Sequence, residues 1–123
     1  MIQANDLRIG NFVHSVEIGN EVIINSISDE GITFKNCVTF DYPTFEDITP
    51  IPLTEEILFK CGFFYDIDSD TYKISDCTLQ IDMSDFEIPD AIVFGESLRY
   101  VRHLHQLQNL FFALTGKELE VKR

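Results

Sequence analysis

No apolar run in this chain of 123 residues approaches the length of a membrane-spanning helix. The opening MIQANDLRIGNF lacks the apolar stretch of a secretory signal, so a cytoplasmic setting is expected. Basic residues are scarce, nine Lys and Arg against 21 Asp and Glu, for a formal net charge of −12. Such a field repels nucleic-acid phosphates and anionic membranes. Direct nucleic-acid binding is therefore not expected, and basic partners are favoured. The simpler account of the same charge is solubility. Cysteine is limited to Cys37, Cys61 and Cys77, an odd set with no CxxC spacing. That argues against a secreted disulfide framework and for reduced thiols in a cytosol. GxSxG, Walker A and GxGxxG signatures are all missing, so no reaction is indicated and no cofactor is expected. Internal repeats, low-complexity tracts and long linkers are missing too.

What is present is material for a core. Apolar residues make up 45% of the chain, and eleven Phe are spread along it. A chain of this length is expected to fold as one compact domain over residues 1–123. The N-terminal third reads as β. Candidate strands are Asn11 to Val16, Glu21 to Ser28, Ile32 to Lys35 and Cys37 to Phe40, with Gly19-Asn20 and Asp29-Glu30-Gly31 as turns. Short strands with glycine turns suggest a small barrel or a strongly bent sheet. In LTEEILFKCGF, Thr54 is an N-cap, Leu53 and Leu58 are placed for a hydrophobic staple, and Gly62 is a stop, which predicts a helix over 55–61. Phe63 to Ile67 with Thr71 to Ser75 reads as a hairpin, followed by strands at Thr78 to Asp82 and Ala91 to Phe94. One long helix is expected from about Leu98 to Thr115, then a short final strand around Leu119 and Val121. The sum is an α+β fold.

Two stretches suggest metal and do not sustain it. DIDSD at 66–70 opens like a calcium loop, but the glycine position holds Thr71 and the bidentate glutamate position holds Cys77. A hairpin turn is the expectation there. His103 and His105 are two apart, about 200° around a helix of ~3.6 residues per turn, so a regular helix cannot aim both at one ion.

On a helical wheel Tyr100, Leu104, Leu107, Leu110, Phe111 and Leu114 form an apolar stripe, with His103 at its edge and Gly116 as terminator. The opposite face carries Arg99, Arg102, Gln106 and Asn109. In so acidic a chain this is a local concentration of positive groups. Either the arginines pair with carboxylates, or Arg99, Arg102, His103, Gln106 and Asn109 hold a partner or a small anionic, nucleotide-like ligand, at an oligomer interface where helices meet. Exposure of Val101 or Phe112 would mark a partner surface.

The segments LRIGNFV (7–13), PIPLTEEILFKCGF (50–63) and HLHQLQNLFFALTGKELE (103–120) resemble small uncharacterised proteins encoded by phages and prophages of gut Bacteroidetes. The resemblance brackets nearly the whole chain and carries no catalytic residues across. It implies an intracellular accessory protein that binds a host component, as in counter-defence, some such proteins being DNA mimics. The expectation is therefore a non-enzymatic protein that binds and inhibits or sequesters a host protein. The alternatives are nucleotide-like capture by the basic helix face, and a hydrolase, which would require paired carboxylates in a cleft or a bound metal. Mimicry would require the acids from Asp66 to Asp90 to share one face.

Overall fold

Alternating β-branched residues between turn signals become strands where one side of each can be buried, and that rule orders most of this chain. The computed structural model describes residues 2, 6–35, 44–75, 77–84, 89–98 and 101–122. It divides into two units, Met1–Ile51 and Pro52–Arg123.

The first unit is an antiparallel sheet of four strands in the order β3-β2-β1-β4: β1 Phe12–Ser15, β2 Asn20–Ser28, β3 Gly31–Phe34 and β4 Ile48–Thr49. Val13, Val22, Ile24, Ile32, Phe34 and Ile48 form its core with Ile2 and Leu7. The register between β2 and β3 shifts between Ile24 and Ser26, a bulge that bends the long strand. The N-terminal sheet expected from the sequence is present. The barrel is not: the described strands form an open sheet, in which β4 is only two residues long. Asp47 anchors this short edge strand. Its backbone carbonyl accepts from Val16 N at 2.8 Å, and its carboxylate accepts from Glu17 N at 3.1 Å and Ser15 Oγ at 3.2 Å. The strand expected at 37–40 lies outside the described residues.

The second unit opens with α1, Glu55–Lys60. Thr54 Oγ1 accepts from Ile57 N at 3.2 Å, and Leu53 and Leu58 are both buried. A meander of five antiparallel strands follows, in sequence order: β5 Phe64–Asp66, β6 Thr71–Lys73, β7 Gln80–Asp82, β8 Asp90–Val93 and β9 Glu96–Leu98. Tyr72 pairs with Ile81 and Ile81 with Ala91, a row whose side chains are all buried. Period-two alternation then puts Asp66, Asp82 and Asp90 together on the other side of the sheet.

The C-terminal helix is shorter than the sequence suggests. α2 spans Leu104–Thr115, not 98–115. The turn before β9 is Phe94-Gly95, with φ of 52° and 80°, and it sends the chain back as a strand where a helix was expected. His103, at φ −131°, is the N-cap, and Gly116, at φ 72°, closes the helix with its N–H on Phe112 O at 2.8 Å. The buried face also differs from the expected stripe. Leu104, Leu107, Leu110 and Phe111 are buried as expected, but His105 and Gln108 are buried with them and Leu114 is exposed. Tyr100 lies outside the described residues. Val101 is fully buried, whereas Phe112 is exposed. Residues 119–121 form no strand; Leu119 is buried, and Lys122 N donates to Lys60 O at 2.9 Å.

Candidate functional site

The second unit holds a cleft of about 500 Å³ between the start of α1 and the buried side of the sheet. Leu53 and Met83 supply apolar wall, Thr54 and Ser84 supply hydroxyls, and Glu55, Tyr65, Asp70 and Tyr72 supply charge and rings. Sequence places them simply. Thr54 and Glu55 stand at the cap and first turn of α1, where the helix dipole favours a carboxylate. Tyr65 and Tyr72 are directly opposite in the β5–β6 hairpin. Asp70 closes that hairpin with φ 55°, a left-handed conformation that Asp tolerates better than most residues.

The two tyrosine rings meet at 5.3 Å between centroids and 60° between planes, forming a corner rather than a stack. Phe59 backs this corner, its ring 5.8 Å from Tyr72 at 62°. Tyr72 is buried and Tyr65 is half exposed at the cleft mouth. The Tyr65 hydroxyl donates to Asp70 Oδ1. That hydrogen bond raises the Tyr65 phenol above its ordinary pKa, with smaller contributions from burial and from the nearby negative charges. Tyr72 is raised chiefly by burial, then by the charge of Glu55 and a hydrogen bond to it. Both phenols therefore stay protonated at neutral pH and act as hydrogen-bond donors to carboxylates. The result is a recess with aromatic faces and negative charge, which is chemistry suited to a cation.

DIDSD is a hairpin turn. Asp68 N donates to Asp66 Oδ1 at 3.0 Å, and Lys73 Nζ lies 2.7 Å from Asp66 Oδ2. The bond from Lys73, helped by that from Asp68 N, holds the Asp66 carboxyl below the usual range. Among the described residues no group of three or more His, Cys, Asp or Glu is arranged to hold a metal ion. Among them, too, no helix is long and apolar enough to cross a membrane.

The residues singled out on the C-terminal helix are distributed differently from the wheel. Arg99 lies outside the described residues. Arg102 precedes the helix and is exposed; its carbonyl accepts from Leu53 N at 3.1 Å. Gln106 Oε1 accepts from Arg102 N at 2.9 Å and His103 N at 3.0 Å, which makes it a cap for the helix start. The His103 ring stacks on that of buried His105 at 6.0 Å. Asn109 is half-buried about one turn further on. Arg102, His103 and Gln106 thus come together as a helix-initiating knot, not as one face of a continuous helix.

No sequence motif groups Glu55, Tyr65, Asp70 and Tyr72. The one signal is the hairpin itself, which pairs Tyr65 with Tyr72 once the turn is placed at 67–70. Of the acids proposed for mimicry, Asp66, Asp82 and Asp90 share one side of the sheet and Asp68 and Asp70 sit at the hairpin tip; Asp76, Asp85 and Glu87 lie outside the described residues. No protein-family model, curated protein or solved structure matches the chain.

Proposed function

We propose that this chain is a non-catalytic binding protein whose partner presents a basic side chain to the cleft of Glu55, Tyr65, Asp70 and Tyr72. The observation that carries this reading is the placing of two exposed carboxylates beside two angled tyrosine rings in one recess. A cation over an aromatic face gains about 0.5–1 kcal/mol at an exposed site and ~2 or more when desolvated. Arginine suits such a site best, because its flat guanidinium stacks on a ring while its donors fork onto a carboxylate. The charge of −12 would add steering toward a basic partner. The resemblance to phage-encoded proteins would make that partner a host protein, bound and so inhibited or sequestered.

Two other readings have less behind them. A hydrolase would use the same two carboxylates, but both are exposed, and a catalytic carboxylic acid is ordinarily set in a site that excludes water. Nucleotide-like capture at the start of α2 loses Gln106 to the helix cap.

Calorimetric titration with an end-capped nine-residue peptide containing one central arginine tests the proposal, with its alanine twin as control. Arginine-dependent binding is expected. Asp70→Asn and Glu55→Gln should each weaken it about twofold to fivefold, the worth of one ion pair near a surface. Equal binding of the arginine and alanine peptides would remove the cleft from consideration.

A further inference from the structure

We infer, resting on the reading that the cleft takes a basic side chain, that the partner chain binds as an added β-strand along β5 and delivers that side chain from an extended backbone. β5 is the terminal strand of the meander, and among the described residues no strand pairs with its outer edge. Natural edge strands are blunted by shortness, charge, proline, a bulge or a cover. β5 is only three residues long and ends in Asp66, but it has neither lysine nor proline, and its first two residues are aromatic. Its large side chains are open to solvent: Phe64 is 50% exposed, Tyr65 45%, and Ile67 just beyond it 80%. The opposite edge strand, β9, begins with an exposed glutamate instead.

Register decides what an added strand would meet. Tyr65 pairs with Tyr72 and so faces the cleft side; Phe64 pairs with Lys73 and Asp66 with Thr71 on the other side. A strand laid against β5 sits about 4.8 Å away and sends alternate side chains to the two sides. Its residue opposite Tyr65 therefore reaches the cleft mouth, beside the carboxylate that Tyr65 holds. The residues before and after it fall on the side of Phe64 and Asp66, where a β-branched residue packs on the exposed Phe64 ring and favours the extended backbone at both positions. The occupant is thus an extended segment with one basic residue between two β-branched ones. Charge argues against a second copy of β5 itself. A second β5 is Phe-Tyr-Asp and has no basic side chain to set in the acidic cleft.

The test uses the full chain and an end-capped nine-residue peptide of Thr and Ser around a central Val-Arg-Val. Two twins of it are N-methylated, one on each alternate set of amides. In strand addition one set of amides bonds to the protein and the other faces away. One twin should therefore lose at least about tenfold in affinity, and the other should bind much as the parent does. Amide hydrogen exchange in β5 should slow when the parent peptide binds.

Equal affinity of both twins and the parent, with Asp70→Asn still weakening all three, would overturn strand addition and leave the cleft reading standing. A contrast between twins with no dependence on arginine or Asp70 would overturn the cleft reading, and this inference with it. Failure of every peptide to bind would overturn both. Sedimentation of the protein alone should show a monomer; a dimer that dissociates in Phe64→Lys would assign the edge to a second copy and refute the inference.

Discussion

Replacing Gln106 with alanine should loosen the start of α2 without removing a core side chain. The side-chain oxygen of Gln106 accepts from Arg102 N at 2.9 Å and His103 N at 3.0 Å, and lies 3.2 Å from His103 Nδ1. Truncation leaves two backbone donors to find other partners. Arg102 is exposed, so water serves its N–H; His103 is half-buried and is served less well. Each net hydrogen bond contributes about 0.5–1.5 kcal/mol. Alanine's higher helix propensity returns a few tenths. The expected loss is about 1 kcal/mol, within the ~0.5–2 kcal/mol measured for lost helix caps. Gln106→Glu keeps an acceptor in place and adds negative charge at the helix start, so it should match or exceed the parent. Urea unfolding followed by helical circular dichroism measures both variants. A Gln106→Ala midpoint equal to the parent's, or a Gln106→Glu variant as weak as Gln106→Ala, would refute the capping argument and return Gln106 to the ligand-binding candidates.

The corrected helix face makes a second contrast: Leu107→Ala, at a fully buried site, should cost about 2–5 kcal/mol in the same unfolding assay, whereas Leu114→Ala, at a site 38% exposed, should cost less than about 1 kcal/mol. Thr54→Ala should lose about 1 kcal/mol by removing the cap of α1, with Thr54→Ser nearly neutral. Burial pushes the Cys61 thiol from 9.0 up to about 12. A raised pKa means that the folded state holds the proton more tightly, so stability is intact below 9.0 and falls as pH rises toward about 12. Unfolding free energy measured across that range should drop more steeply for the parent than for Cys61→Ala, by up to ~4 kcal/mol; parallel curves would show that Cys61 is not the group responsible. Adding an excess of free arginine should compete with the arginine peptide for the cleft, and a competition curve unchanged by Asp70→Asn would count against Asp70 as its partner.

The elements that sequence made legible are those announced by local chemistry. Thr54, Leu53, Leu58 and Gly62 mark α1 to within one residue, and β1 to β3 follow their β-branched runs and glycine turns. The start of α2 is hard to see in the sequence because its two markers are unusual. Phe94-Gly95 makes a hairpin turn whose first position holds a bulky residue where Asn or Asp is usual. His103 with Gln106 caps the helix without the Ser, Thr, Asp or Asn that signals a capping box. A helix begun at Leu98 would set Arg102 and Gln106 on one face; a helix begun at Leu104 makes Gln106 a cap for the Arg102 and His103 amides instead. The cleft was hidden for a different reason. Its residues come from 53–55, 65–72 and 83–84, and only the pairing of β5 with β6 and β7 assembles them. No spacing within one segment encodes that.

The Tyr65–Asp70 contact has an optical consequence. The chain contains no tryptophan and four tyrosines, two of which line the cleft. On excitation at wavelengths beyond phenylalanine absorption, its ultraviolet emission therefore comes from tyrosine. A phenol hydrogen-bonded to a carboxylate emits weakly, because the excited phenol gives its proton toward the acceptor. A guest that draws Asp70 away from the Tyr65 hydroxyl would brighten the protein as it binds, so the site carries its own unlabelled reporter of occupancy.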